Sequence, residues 1–178
     1  MRRTILLVAT MALTLMVASG VALAITKIGT DGHDNIKGTN GSDTLVGMGG
    51  NDRIKGRGGA DVILGGRGNE YWYGLYGGRG ADDMSGGPGR DYVFGGSGPD
   101  VLKGGPGNDW VDGQGANWMN KESAVDVLSG GGGNDFLTPF TIPAALDIVR
   151  CGAGRDRAIV DSKDMVADDC ETVRVPNS

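Results

Sequence analysis

The chain has 178 residues, of which 35 are glycine, only six are proline and 39% are hydrophobic. This hydrophobic content excludes a plain flexible linker. The chain also lacks glycine at every third position, which excludes a collagen triple helix. The net charge of −5 argues against nucleic acid as a partner, because phosphate is bound mainly through basic residues.

The first 24 residues predict a secretory signal peptide. Arg2 and Arg3 precede an apolar run over residues 5–17, and small residues follow at Ala22 and Ala24. An uncleaved membrane anchor is the alternative, but the apolar run is shorter than the roughly 20 residues that a membrane span needs. We therefore expect cleavage after Ala24, a secreted extracellular protein, and no membrane span in the mature chain.

A nine-residue unit then repeats as far as Ile159, and the copy GGPGRDYVF that begins at Gly86 shows its regular form. Glycine recurs at places one, two and four of this unit. Thirteen copies align, with irregularities over 70–76 and 113–120 and a short break before residue 142. Place six is acidic in every copy: Asp34, Asp43, Asp52, Asp61, Glu70, Asp82, Asp91, Asp100, Asp109, Asp126, Asp135, Asp147 and Asp156.

Place eight is apolar in every copy, and this column predicts the core. Glycines at the early places allow tight turns, after which places seven to nine can form a short strand whose middle side chain points inward. Such a strand is too short to stand alone, so successive copies should stack into a solenoid. The predicted core residues are Ile36, Leu45, Ile54, Ile63, Trp72, Met84, Val93, Leu102, Val111, Leu128, Leu137, Val149 and Ala158.

Stacking would bring the place-six carboxylates close together. Neighbouring strands lie about 4.8 Å apart, where two like charges repel by about 3 kcal/mol at an effective dielectric constant near 20. A cation is therefore expected between them, and Ca²⁺ suits the site because it binds carboxylate and backbone carbonyl oxygens. The aspartates assigned as ligands are Asp34, Asp43, Asp52, Asp61, Asp82, Asp91, Asp100, Asp109, Asp126 and Asp135.

The pattern G-G-x-G-x-D-x-U-x, where U is a large apolar residue, resembles the haemolysin-type repeats-in-toxin (RTX) family. Copies that begin at Gly77, Gly86, Gly95, Gly104 and Gly130 match all four defining glycine and aspartate places. The resemblance implies an all-β fold for residues 25–159, namely a parallel β-roll or β-helix solenoid with several calcium ions between its turns. In this family the place-six aspartates and turn carbonyls bind the ions.

The segment from Cys151 onward is similar to the C-terminus of small exported calcium-binding repeat proteins of Gram-positive, actinobacterial type. The N-terminal signal and the cysteine pair depart from the toxin pattern, so the toxin label is not carried over. Cys151 and Cys170 are expected to form a disulfide, because an exported chain meets an oxidising environment. Zinc would need more ligands, and the single histidine is far away. Residues 160–178 are expected to form a C-terminal cap.

The sequence offers no catalytic motif and predicts a protein that is not an enzyme. A zinc-protease motif needs two histidines four residues apart, and His33 is the only histidine. The nearest approach to a lipase G-x-S-x-G motif, Gly95 to Pro99, fails at its last place. His33 itself is expected to be an exposed turn residue. The sequence favours a monomer whose calcium ions are structural.

An aromatic group, Tyr71, Trp72, Tyr73 and Tyr76, with Trp110 and Trp118 further on, leaves two interpretations open. Either Trp72 fills the core and its neighbours cover the flank, or stacked aromatic residues bind sugar rings or a cell-surface partner. In the second case the protein is an adhesion or glycan-binding module, with a cell-wall or extracellular glycan as partner. Because Glu70 replaces aspartate here, the roll is expected to bend or lose an ion.

Overall fold

The structure is a computed structural model that describes residues 23–70, 74–114, 124–139 and 144–176. The predicted signal peptide lies almost wholly outside the described residues. Tyr71, Trp72, Tyr73 and Trp118 also lie outside them. In the part of the chain that is described, no helix is long and apolar enough to cross a membrane.

In the described part of the chain, sixteen short strands form two parallel sheets of eight strands each. The odd-strand sheet consists, in order, of β1 (Thr26–Ile28), β3 (Thr44–Gly49), β5 (Val62–Arg67), β7 (Asp83–Ser85), β9 (Val101–Pro106), β11 (Val127–Gly132), β13 (Ile148–Ala153) and β15 (Met165–Val166). The even-strand sheet consists of β2 (Asn35–Lys37), β4 (Arg53–Gly58), β6 (Leu75–Arg79), β8 (Tyr92–Ser97), β10 (Trp110–Asp112), β12 (Phe136–Thr138), β14 (Arg157–Ile159) and β16 (Thr172–Arg174).

Consecutive strands alternate between the two sheets, so that one turn of the solenoid contains two nine-residue copies. Leu45, for example, pairs in parallel with Ile63 on the next turn. Both sheets continue past the irregular stretches of sequence, because β6 pairs with β4 and β11 pairs with β9. The predicted all-β parallel roll is confirmed.

The core is a single layer of place-eight side chains enclosed between the sheets. Twelve of the thirteen predicted core residues are buried: Ile36, Leu45, Ile54, Ile63, Met84, Val93, Leu102, Val111, Leu128, Leu137, Val149 and Ala158. The thirteenth, Trp72, lies outside the described residues, and the core column at this turn is continued by a different residue. Leu75 occupies that position, since it is fully buried and pairs with both Ile54 and Val93. The three additional residues are therefore 71–73 rather than 74–76, and they lie between places six and seven.

Glycine is needed at places two and four because the backbone there has positive φ. In one regular copy Gly96 has φ +118° and Gly98 has φ +111°, and a side chain at either position would meet a carbonyl oxygen of the preceding turn. Met48 and Arg57 occupy place two with φ of 82° and 89°, so these two early copies hold non-glycine residues in a strained conformation.

The last turn continues the roll without the glycine pattern. Val166 on β15 pairs with Val149, and Val173 on β16 pairs with Ala158, so each sheet gains one more strand. The predicted disulfide between Cys151 and Cys170 is confirmed, with the two Cα atoms 5.0 Å apart. Cys151 is fully buried in the core layer, so the bond joins the core to the terminal segment.

Candidate metal sites along the two acidic ladders

The place-six residues form two ladders, one preceding the strands of each sheet. Within a ladder, the backbone N–H of one residue donates to the carboxylate one turn later, as from Asp91 to Asp109 Oδ1 at 2.9 Å. The first ladder contains Asp43, Asp61, Asp82, Asp100, Asp126 and Asp147, and the second contains Asp34, Asp52, Glu70, Asp91, Asp109, Asp135 and Asp156. All ten sequence-predicted ligands lie in these ladders.

The second carboxylate oxygen of most ladder residues is buried and accepts no hydrogen bond in the structure. Buried polar atoms are almost always paired, so a repeated series of unpaired anionic oxygens requires a partner of another kind. The atoms are Oδ2 of Asp52, Asp61, Asp82, Asp91, Asp109, Asp135, Asp147 and Asp156, and Oε2 of Glu70.

All of these oxygens except those of Asp147 and Asp156 lie beside a place-one glycine together with a carbonyl oxygen of the next turn. A Cβ atom on Gly86 would lie 2.5 Å from Asp91 Oδ2 and 2.7 Å from the carbonyl oxygen of Gly104. An equivalent pair of oxygens surrounds Gly104, where a Cβ atom would lie 2.5 Å from Asp109 Oδ2 and 2.7 Å from the carbonyl oxygen of Gly130. Place one is therefore glycine because a carboxylate and a carbonyl oxygen fill the space that a side chain would take.

Carboxylate clusters alone do not form the sites. Among the described residues, the one group of three His, Cys, Asp or Glu side chains close enough to share an ion is Cys151, Asp169 and Cys170. Both cysteines of this group are in the disulfide and are not available as thiolate ligands. An ion at the ladders would therefore combine carboxylate with backbone carbonyl oxygens, which is the donor set that Ca²⁺ prefers.

Burial raises the pKa of several ladder carboxylates when no cation is present. Desolvation, opposed by a backbone hydrogen bond with Asp61, raises the pKa of Asp82 to about 6. Desolvation likewise raises the pKa of Asp109 to about 7, and repulsion from Asp91 and Asp135 adds to the increase. The ladders are thus costly to ionise until a positive charge compensates them.

Glu70 differs from the aspartates of its ladder. Its Oε1 accepts the N–H of Asp52 at 3.4 Å, longer than the 2.8–2.9 Å of the regular rungs. Burial raises its pKa to about 9, and the nearby carboxylate of Asp91 adds to the increase. The two sheets nevertheless continue across this turn, and the loss of an ion here stays a prediction.

Two acidic residues at the ends of the ladders were not identified from the sequence. Asp147 N–H donates to Asp164 at 3.1 Å, and Asp156 N–H donates to Glu171 at 2.8 Å. Each acid stands two residues before an apolar residue, Val166 or Val173, that pairs in register with the last residue of a core column. Val166 packs against the core, whereas Val173 is exposed. The acidic-x-apolar spacing was therefore present in the sequence, but the flanking glycines were not.

Place five also forms a ladder that the sequence did not predict. The N–H of Asn69 donates to Asn51 Oδ1 at 2.9 Å, and the N–H of Arg90 donates to Asn69 Oδ1 at 2.8 Å. His33 begins this series, because its exposed ring accepts the N–H of Asn51 at Nδ1. Asparagine at place five therefore stabilises successive turns beside the acidic ladder.

Comparison with known families gives four matches to the RTX calcium-binding nonapeptide repeat, over residues 37–69, 75–93, 85–117 and 123–138. Together they cover just over half of the chain. The chain belongs to this RTX repeat family. RTX repeats bind Ca²⁺, and the ladders of buried aspartates fit that role. A comparison with curated proteins found no match.

Proposed function

We propose that this RTX protein is secreted and is not an enzyme, and that its calcium ions fold and stabilise the roll. The observation that carries the proposal is the series of buried ladder oxygens without hydrogen-bond partners, most of which lie beside a carbonyl oxygen of the next turn. Asp91 with the Gly104 carbonyl, and Asp109 with the Gly130 carbonyl, are representative pairs.

The ligands would come from the ten predicted aspartates and the carbonyls of the glycine turns. When bound, Ca²⁺ supplies the positive charge that offsets burial of the carboxylates and their mutual repulsion. The chain's own contribution is to hold each carboxylate in place. The hydrogen bond from a ladder N–H fixes one oxygen, and the side-chain-free place-one glycine leaves room for the other.

A structural role for calcium follows from the small core. Each regular nine-residue copy contributes one place-eight side chain to the core layer, while its glycines lose more conformational freedom on folding than any other residue type. Ions that bind the folded turns and not the unfolded chain therefore shift the equilibrium toward the roll. The N-terminal sequence supports export, and high calcium concentrations outside the cell suit sites of the extracellular type.

Calcium binding and export are tested separately. Equilibrium dialysis of the chain from Ile25 onward should show several bound Ca²⁺ ions per molecule, and excess Mg²⁺ should not displace them, because Mg²⁺ demands a smaller octahedral site. One ion or none would contradict the proposal. Mass spectrometry of the protein exported by its host should give Ile25 as the first residue. A cell-retained, full-length chain would contradict secretion but would leave the calcium sites intact.

A further inference from the structure

The outer face of the even-strand sheet carries a continuous series of aromatic rings. Tyr76 stacks on Phe94 with ring centroids 5.0 Å apart, Tyr92 meets Trp110 edge-on at 5.3 Å, and Trp110 meets Phe136 at 5.6 Å. These residues occupy places seven and nine of β6, β8, β10 and β12, which point away from the core. Phe94 is buried among its neighbours, and the other four residues are half-buried. We call these five residues the aromatic face.

Basic residues stand at both ends of the aromatic face. Lys55 Nζ lies 5.1 Å from the centroid of the Tyr76 ring, and Arg157 Cζ lies 5.7 Å from that of Phe136. Lys37, Arg53 and Arg174 extend the two basic ends along the same sheet. Among the outward residues of places seven and nine on these eight strands, the one acid is Asp112. A chain with a net charge of −5 thus presents a locally positive surface.

The positive side chains at the Lys55 end of the aromatic face repel one another. Burial lowers the pKa of Lys55, and the nearby positive charges of Arg53 and Lys37 lower it further. An anionic group beside this cluster would relieve the repulsion, in the way that complementary charge favours association at other interfaces.

Two polar groups on the same face are buried without hydrogen-bond partners. They are the indole Nε1 of Trp110 on β10 and the hydroxyl of Thr138 on the adjacent strand β12. Packing of aromatic residues across strands would explain the ring contacts, but it leaves these groups unexplained.

The geometry points to a binding surface for an acidic polysaccharide along the aromatic face, with sugar rings against the aromatic rings and carboxylates near the basic ends. Strands are spaced about 4.8 Å apart, so the face from β4 to β14 extends for about 24 Å. That length fits several consecutive sugars of an extended chain. The inference goes beyond the proposed function, which gives calcium a structural role and assigns no macromolecular partner.

The test is native affinity electrophoresis in saturating calcium, with hyaluronan in the gel as a uronate-containing polymer and its carboxyl-reduced, neutral form as comparator. Hyaluronan should retard the wild-type protein, and the neutral form should not. The double variant Lys55→Gln/Arg157→Gln should bind hyaluronan about tenfold more weakly, since it loses the charge at both ends. The matched control Lys103→Gln/Arg150→Gln removes the same charge from the outer face of the odd-strand sheet and should bind as wild type.

Circular dichroism of every variant in the same buffer distinguishes a lost surface from a lost fold. If the roll forms and wild type is not retarded by hyaluronan, the inference is wrong while the calcium proposal stands. Equal retardation by the neutral polymer would contradict the inference that the bound polysaccharide is acidic. Equal weakening of both double variants would overturn the assignment to the aromatic face.

Discussion

Each ladder carboxylate has two oxygens in different environments. Asp82 Oδ1 accepts the N–H of Asp61 at 2.8 Å, whereas its Oδ2 is buried without a hydrogen-bond partner. Asparagine is the same size and keeps an acceptor oxygen for the first contact, but it has no negative charge for a cation. Substitution by asparagine can therefore separate the hydrogen-bonding role of the ladder from its metal-binding role.

Asp82→Asn should raise the calcium concentration at half-folding several-fold, because one anionic ligand is lost. In calcium-free buffer the same variant should be at least as stable as wild type, since it removes a charge that is costly to bury. Asp83→Asn is the matched control, because Asp83 is the next residue, is 61% exposed and faces solvent near Lys103. Calcium titrations followed by circular dichroism measure both, and equal midpoints for the two variants would refute the role of Asp82.

The last turn consists of short strands that lack the glycine pattern. β15 and β16 each pair on one side with the preceding strand, and no described strand covers their other side. Asp169 accepts the N–H groups of Cys151 and Gly152 at 3.1 Å and so holds the segment beside the disulfide. The bond between Cys151 and Cys170 therefore stabilises the part of the roll with the fewest calcium-site features.

Replacing both cysteines, as Cys151→Ala/Cys170→Ala, should destabilise the last turns by about 3 kcal/mol, from the loop-closure entropy of the unfolded chain. Hydrogen exchange in saturating calcium should show faster exchange confined to β13–β16, with β3–β9 unchanged. Uniform loss of protection along the roll would contradict a local role, and unchanged exchange at β15 and β16 would contradict any role.

The sequence allowed the ladders and most of the core to be predicted because every turn imposes the same requirement at places six and eight. It misplaced the core residue near Glu70, since Tyr71, Trp72 and Tyr73 resemble a strand more than Gly74, Leu75 and Tyr76 do. Pairing of Leu75 with the strands on either side decides the register, and that information is not local. Asp164 and Glu171 were missed because the glycines that mark a copy are absent from the last turn.

Across the whole molecule, buried carboxylates make the calcium-free roll sensitive to pH. Desolvation raises the pKa of Asp82 and Asp135 to about 6 and of Asp147 to about 7, all above the ordinary value near 3.8. The calcium-free roll is stabilised fully by these carboxyl groups below pH 3.8, where they are protonated in the folded and the unfolded chain. That stabilisation is lost as the pH rises through 6 to 7 and the buried groups ionise. Calcium reverses this dependence, because it binds the deprotonated carboxylates and competes with protons.

Protein stripped of calcium should therefore contain more β structure at pH 5 than at pH 8. At a fixed calcium concentration near the folding midpoint, the order should be the opposite. Far-UV circular dichroism at both pH values, with ionic strength held constant, checks the two expectations. More β structure at pH 8 than at pH 5 in calcium-free protein would show that burial of ionised carboxylates does not limit the fold.

The central claim is that calcium between the turns holds the whole roll together. The most direct test is a calcium titration at pH 7.5 of the stripped chain from Ile25 onward, followed by far-UV circular dichroism. We expect a largely unfolded chain without calcium and a cooperative gain of β structure with a midpoint in the 10⁻⁴ to 10⁻³ M range of extracellular sites, reversed by chelation. An unchanged β spectrum after complete removal of calcium would contradict the account.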